Sequence, residues 1–230
     1  MNTDKRPLIL LHGALGSIEH WTELAPLLSD FDLHMFNFAG HGGKVCQEAF
    51  SIDMFAHDLL LYMDHNGIEV ADIFGFSMGG YVALRFAQDH SDRVGRIVTL
   101  GTKFNWTPEV AEKQFSLLNP EKILEKVPHF AEALQERHAP LDWKDVVTKT
   151  SDMLMRLGNG EAVDFTKSTF ENEVTIMVGD QDRVVKFGEA VEVAEALPNG
   201  TFLPLPGAPN PIELVPKTLL ATELKRILAA

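Results

Sequence analysis

The chain has 230 residues, 45% of them hydrophobic, which suits one well-buried core better than two independent domains. Its 20 Lys plus Arg against 33 Asp plus Glu give a formal charge of −13, which repels phosphate backbones and anionic headgroups and argues against a nucleic-acid or membrane partner. Cys46 is the single cysteine, so no intramolecular disulfide can form. The apolar run Leu8–Leu11 is too short for a signal-peptide core or a membrane span, and the expected setting is cytoplasmic.

Up to Thr102, short β-like apolar runs alternate with helical ones: Leu8–Leu11, Trp21–Leu28, Leu33–Phe38, Ile52–Asp64, Val70–Phe76, Gly80–His90 and Val94–Leu100. That alternation predicts an α/β protein built on a parallel, doubly wound sheet. From Lys103 to about Phe170 the β-like runs vanish. The pattern becomes helical, broken by Pro108, Pro120, Pro128, Pro140 and the Gly158-Asn159-Gly160 turn. We expect an inserted helical cap over 103–170, dividing a core of 1–102 and 171–230. The theme resumes with a strand at Val174–Val178, a helix through Phe187–Leu197, a strand at Thr201–Leu205 and a closing helix from Pro211 to Ala229. The sheet would have about six strands.

Gly75-Phe76-Ser77-Met78-Gly79 sits between the apolar run ending at Phe76 and the helix-patterned run from Gly80. A G-x-S-x-G segment in that setting reads as a nucleophile elbow, a sharp strand-to-helix bend that lifts the serine hydroxyl clear of the sheet. Gly75 and Gly79 are glycine because a side chain there would strike the neighbouring strand and helix. The hydroxyl lies at a helix N-terminus, which favours developing negative charge. Of the cap's bulky residues (Trp106, Phe115, Leu117, Phe130, Met153 and Leu157 among them), most would pack as core and a minority would line an apolar pocket above Ser77.

Over essentially its whole length the chain resembles the α/β-hydrolase superfamily, in its small capped esterase-like branch. The resemblance rests on His12-Gly13 after the first strand, Gly40-His41-Gly42 after the second, and the elbow up to Gly80. It extends to Gly179-Asp180-Gln181-Asp182 and to Pro206-Gly207-Ala208-Pro209-Asn210-Pro211. Compared with larger members, we expect no counterpart of the family's first two antiparallel strands. The resemblance implies Ser77 as nucleophile and the backbone N–H groups of Ala14 and Met78 as oxyanion hole. His12 and Gly13 would support that loop, and Asp182 would be the acid, with Asp180 in reserve. An acidic loop residue capping the helix near Phe187 is the other reading of Asp182. Where family members carry the catalytic histidine, this chain has Asn210, and no histidine follows His138. A carboxamide has no usable pKa near neutrality and cannot relay a proton. Asparagine followed by proline also reads as a helix N-cap with proline at the first helical position.

Three accounts of Asn210 stay open: an introduced replacement, a natural loss, or a base supplied from elsewhere, with His12 the nearest candidate. The function expected is a serine hydrolase scaffold for a small ester, thioester or related acyl compound, with turnover strongly impaired. The alternatives are a non-catalytic small-molecule sensor or carrier on the same fold and a carbon–carbon bond hydrolase. No cofactor and no metal are expected, because neither a dinucleotide fingerprint, a P-loop nor metal-ligand spacing is present. The partner is a small acyl molecule, and the protein would be a monomer or homodimer.

Overall fold

The computed structural model describes residues 5–229. Among them six strands form one sheet in the order β2-β1-β3-β4-β5-β6, every pairing parallel. The strands are β1 (Pro7–Leu11), β2 (Asp32–Met35), β3 (Ala71–Phe76), β4 (Val94–Leu100), β5 (Val174–Gly179) and β6 (Gly200–Leu205). Successive side chains point to opposite faces, so the two faces carry separate cores. Leu8, Leu10, Phe74, Val98 and Met177 pack with Trp21, Leu24 and the last helix, α8 (Lys217–Leu228). Ile9, Leu11, Ile73, Ile97 and Ile176 pack under α1 (Ile52–His65), α2 (Met78–Asp89) and α7 (Phe187–Ala196). The inner strands β1, β3, β4 and β5 are largely buried on both faces, which explains their predominantly apolar sequences, whereas the edge strands β2 and β6 are only partly buried.

Between β4 and β5 the chain is helical: α3 (Pro108–Leu117), α4 (Pro120–Lys126), α5 (Pro128–His138) and α6 (Trp143–Arg156). Pro108, Pro120 and Pro128 start the first three of these helices, where a missing N–H costs nothing. Thr107 and Asn119 accept the first-turn N–H groups of Val110 and Lys122. Leu134, Trp143 and Met153 are buried, whereas Phe115, Leu117 and Phe130 are exposed. The described helices include none long and apolar enough to cross a membrane.

Two expected elements differ. Trp21–Leu28 is not one helix, because Pro26 interrupts it. The chain makes two 3₁₀ turns there, Ile18–Trp21 and Ala25–Leu28. The closing helix does not start at Pro211. Ile212–Leu214 is a single 3₁₀ turn, and α8 begins only at Lys217, after Pro216.

Candidate active site

Ser77 joins β3 to α2 with φ +51° and ψ −116°, a region that non-glycine residues avoid at a cost of about 1–3 kcal/mol. Its backbone is held on both sides. The N–H donates to Leu100 O of β4 at 2.8 Å, and the carbonyl accepts from Gly80 N (3.1 Å), Tyr81 N (3.2 Å) and Thr102 Oγ1 (3.0 Å). A Cβ on Gly75 would lie 2.4 Å from Gly80 N, and one on Gly79 would lie 2.2 Å from Leu11 O. These contacts are with backbone, which cannot step aside. Met78 is the first residue of α2, so its N–H has no acceptor within the helix.

The loop after β1 lies against the elbow. A Cβ on Gly13 would come within 3.3 Å of Ser77 Cβ and 3.0 Å of the Phe76 ring. His12 is fully buried. Its Nε2 accepts from Phe38 N–H at 3.2 Å, so its Nδ1 carries the proton and donates to Gly13 O at 2.8 Å. Burial, and next His41, holds its pKa well below the usual histidine range. With both ring nitrogens occupied by backbone, His12 braces the loop and has no free site for a proton from Ser77. Leu15, at φ +58°, offers its carbonyl to Arg137 Nη1 (3.0 Å) and to His138 Nε2 (3.2 Å). His138 Nδ1 accepts from Gly42 N–H at 3.1 Å, so this ring too is a neutral bridge, and burial pushes it down to about 4. His41, in the Gly40-His41-Gly42 turn, is pushed down to about 3 by burial and then by His138. His20 Nε2 is 3.3 Å from Glu213 Oε1, without hydrogen-bond alignment.

Asp182 follows β5. Its Oδ1 accepts from Val184 N (2.7 Å) and Val185 N (3.0 Å), and its Oδ2 accepts from Asn210 Nδ2 at 3.3 Å. It shapes its own turn and does not cap α7, whose N-cap is Lys186. Asp180 bonds Gly207 N–H at 2.8 Å and faces solvent. Asn210 is not a helix cap either, because no α-helix begins there and its side chain reaches the Asp182 carboxylate instead. A Cβ at Gly101 would sit 3.3 Å from Asp182 Oδ2 and 3.4 Å from Asn210 Nδ2, so the turn after β4 packs directly against this pair. All these loops leave the carboxyl ends of parallel strands, where open α/β sheets bind ligands.

Ala14, Ser77, Met78 and Asn210 line one cavity of about 280 Å³, walled otherwise by apolar side chains such as Leu15, Ile52, Met153 and Leu157. Trp106, one of the cap residues from which a pocket-lining minority was expected, also lines it, together with Lys103 and Gln114, to which the sequence pattern gave no role. Nor did it assign the bridging roles of Arg137 and His138. Their partner, Leu15, lies more than 120 residues away in sequence, and no local motif signals such a contact.

Comparison with known proteins bears on the family and the fold. A family model described as alpha/beta hydrolase fold matches residues 6–142. The pimeloyl-[acyl-carrier protein] methyl ester esterase of Vibrio cholerae serotype O1 is 36% identical over 96 residues, which cover 41% of this chain and 36% of that protein. The match thus spans little more than a third of that relative's length. The putative carbamate hydrolase RutD of Caulobacter sp. strain K31 is 25% identical over 219 residues, 87% of this chain and 82% of that one. The crystal structure of MGS-M2, an alpha/beta hydrolase enzyme from a Medee basin deep-sea metagenome library, superposes with a TM-score of 0.78. It shares 19% identity and covers 100% of this chain and 91% of that one, a likeness of fold.

Proposed function

Because the chain belongs to the α/β-hydrolase fold family, we propose that it is a serine hydrolase scaffold for a small carboxylic ester, thioester or related acyl compound, with the base of its triad replaced by Asn210. Ser77 is the nucleophile and Asp182 the acid. The N–H groups of Ala14 and Met78 receive the oxyanion, and residues 103–170 form a cap over the cavity. One observation carries the reading: Asn210 Nδ2 is hydrogen-bonded to Asp182 Oδ2 at 3.3 Å while the same residue lines the cavity that holds Ser77. An orienting acid thus faces an amide where acyl transfer needs an imidazole.

The chemistry follows from that substitution. Attack by Ser77 Oγ on a carbonyl carbon puts negative charge on the carbonyl oxygen, and two backbone donors at a helix start and a tight loop are suited to hold it. The serine proton must leave at the same time, and the leaving group must later gain one. Asn210 can donate and accept hydrogen bonds but cannot carry that proton. Loss of a base in serine hydrolases costs on the order of a million-fold, about 8 kcal/mol, while binding and oxyanion stabilisation retain roughly 10³ to 10⁴ over water. Slow turnover of a bound acyl compound is the expected behaviour.

The test is Asn210→His, assayed on an activated aryl ester. A gain of at least about a thousand-fold in kcat/KM, lost again when Ser77→Ala is added, is the expected result. No gain on a broad panel of acyl substrates would favour a sensor or carrier, a reading that the settled Asn210–Asp182 bond also suits. Strong labelling of the unaltered protein by a fluorophosphonate would show that another base serves Ser77.

A further inference from the structure

The residues that line the cavity beside Ser77 differ in charge balance from the chain as a whole. The chain carries 33 acidic residues against 20 basic ones, yet no residue lining the cavity is acidic and one, Lys103, is basic. The Lys103 side chain is only 16% exposed, and its Nζ lies 3.2 Å from Glu189 Oε1. That carboxylate is already committed. Its Oε1 also accepts from Lys186 N (3.1 Å), and its Oε2 accepts from Phe104 N (3.0 Å) and Asn105 N (2.8 Å). Four donors fill a group with about four acceptor sites, so the work of Glu189 is to fasten the segment that leads from β4 to α3. An ammonium has three donors, and among the described residues Lys103 uses one.

Two further side chains on the same wall lack partners. The Gln114 carboxamide makes no hydrogen bond to any described residue, and Trp106 Nε1–H is buried with no acceptor. Lysine and tryptophan can only donate. A low-dielectric cavity lined by an ammonium with two unspent donors and by an unpaired carboxamide favours an acceptor-rich anionic group, since charge-assisted bonds are the strong ones.

We propose that Lys103, flanked by Trp106 and Gln114, is the specificity site for a free carboxylate on the substrate, remote from the scissile carbonyl. The substrate class is then a short acyl ester or thioester that carries a second, unesterified carboxyl group, such as the half-ester of a dicarboxylic acid. This rests on the acyl-binding reading of the cavity but not on turnover, so it is tested by binding to the protein as it stands.

Equilibrium titration calorimetry would compare monomethyl adipate with methyl hexanoate, which matches it in length but lacks the second carboxylate. The half-ester is expected to bind at least about tenfold more tightly, and Lys103→Met to erase that preference. Lys103→Arg should keep most of it. Gln114→Leu breaks no bond to the described protein and should reduce the preference several-fold, which keeps the test open even where Lys103→Met fails to fold. Equal binding of the two esters, binding of neither, or a preference that survives in both Lys103→Met and Gln114→Leu overturns the proposal. Failure of Asn210→His to gain turnover, with the preference intact, would sink the hydrolase reading and leave this one standing.

Discussion

Ser77 occupies a backbone conformation that its own residue type resists; hydrogen bonds with Leu100, Gly80, Tyr81 and Thr102 hold it there, and neighbours without side chains leave the room for it. Gly79 is the clearest case, because a Cβ there would meet Leu11 O at 2.2 Å and His12 O at 2.8 Å, both in the backbone at the end of β1. Relief would require α2 to move off the sheet. Gly79→Ala is therefore expected to destabilise the fold by about 3 kcal/mol or more, read as a lower urea midpoint. Gly188 is the internal control. It lies in the first turn of α7, at no positive φ and with nothing within 4 Å of a built Cβ. Gly188→Ala should raise stability by about 0.5 kcal/mol through its effect on the unfolded chain. If both substitutions destabilise equally, close approach at Gly79 is not what makes it glycine.

At the scale of elements, the carboxyl end of α5 is tied to the loop that carries Ala14. Arg137 and His138 both hold the Leu15 carbonyl, and His138 also accepts from Gly42 N–H, so one neutral ring joins α5, the loop after β1 and the Gly40–Gly42 turn. Protonation removes the acceptor nitrogen. The folded-state pKa of His138 is about 4, below the 6.5 of the unfolded chain, so the unfolded state binds more protons between these values. Stability then falls as pH drops through that window, by roughly 2 kcal/mol for this ring at pH 5, and His41, at about 3, adds in the same direction. Asp72, raised by burial, works the other way, because its folded form takes up protons first as pH falls. The net expectation is a lower urea midpoint at pH 5 than at pH 7, with the difference reduced in His138→Gln, which keeps both bonds and does not titrate. An unchanged difference in that variant would show that His138 is not the group responsible.

The same elements show what could be read in advance. β3 and β4 are legible because strands largely buried on both faces are predominantly apolar over a short stretch, even with Asp72 and Arg96 inside them. The 3₁₀ turns around Trp21 and Ala25 are equally apolar but bend at Pro26, and α8 is delayed past Pro211 by Pro216, effects of backbone geometry that hydrophobic pattern does not register. The Ser77 elbow is a local motif and so is readable. The contacts of Lys103 with Glu189 and of His138 with Leu15 join segments that are remote in sequence, and only the packed structure brings them together.

For the molecule as a whole, the charge of −13 and the cation in the cavity act on different steps of binding. Long-range fields govern encounter, whereas a desolvated contact governs escape. A carboxylate-bearing ligand is repelled by the surface before it reaches Lys103. That repulsion extends about 30 Å at 0.01 M salt and only about 8 Å at 0.15 M. Its association rate, followed by stopped-flow tryptophan fluorescence, is therefore expected to rise several-fold across that range, while the rate for the neutral methyl ester stays level. The dissociation rate of the half-ester should change much less, because Lys103 is largely shielded from bulk ions. An association rate that falls with salt would mean that the field at the cavity mouth is positive, and that the surplus of carboxylates lies away from the path of entry.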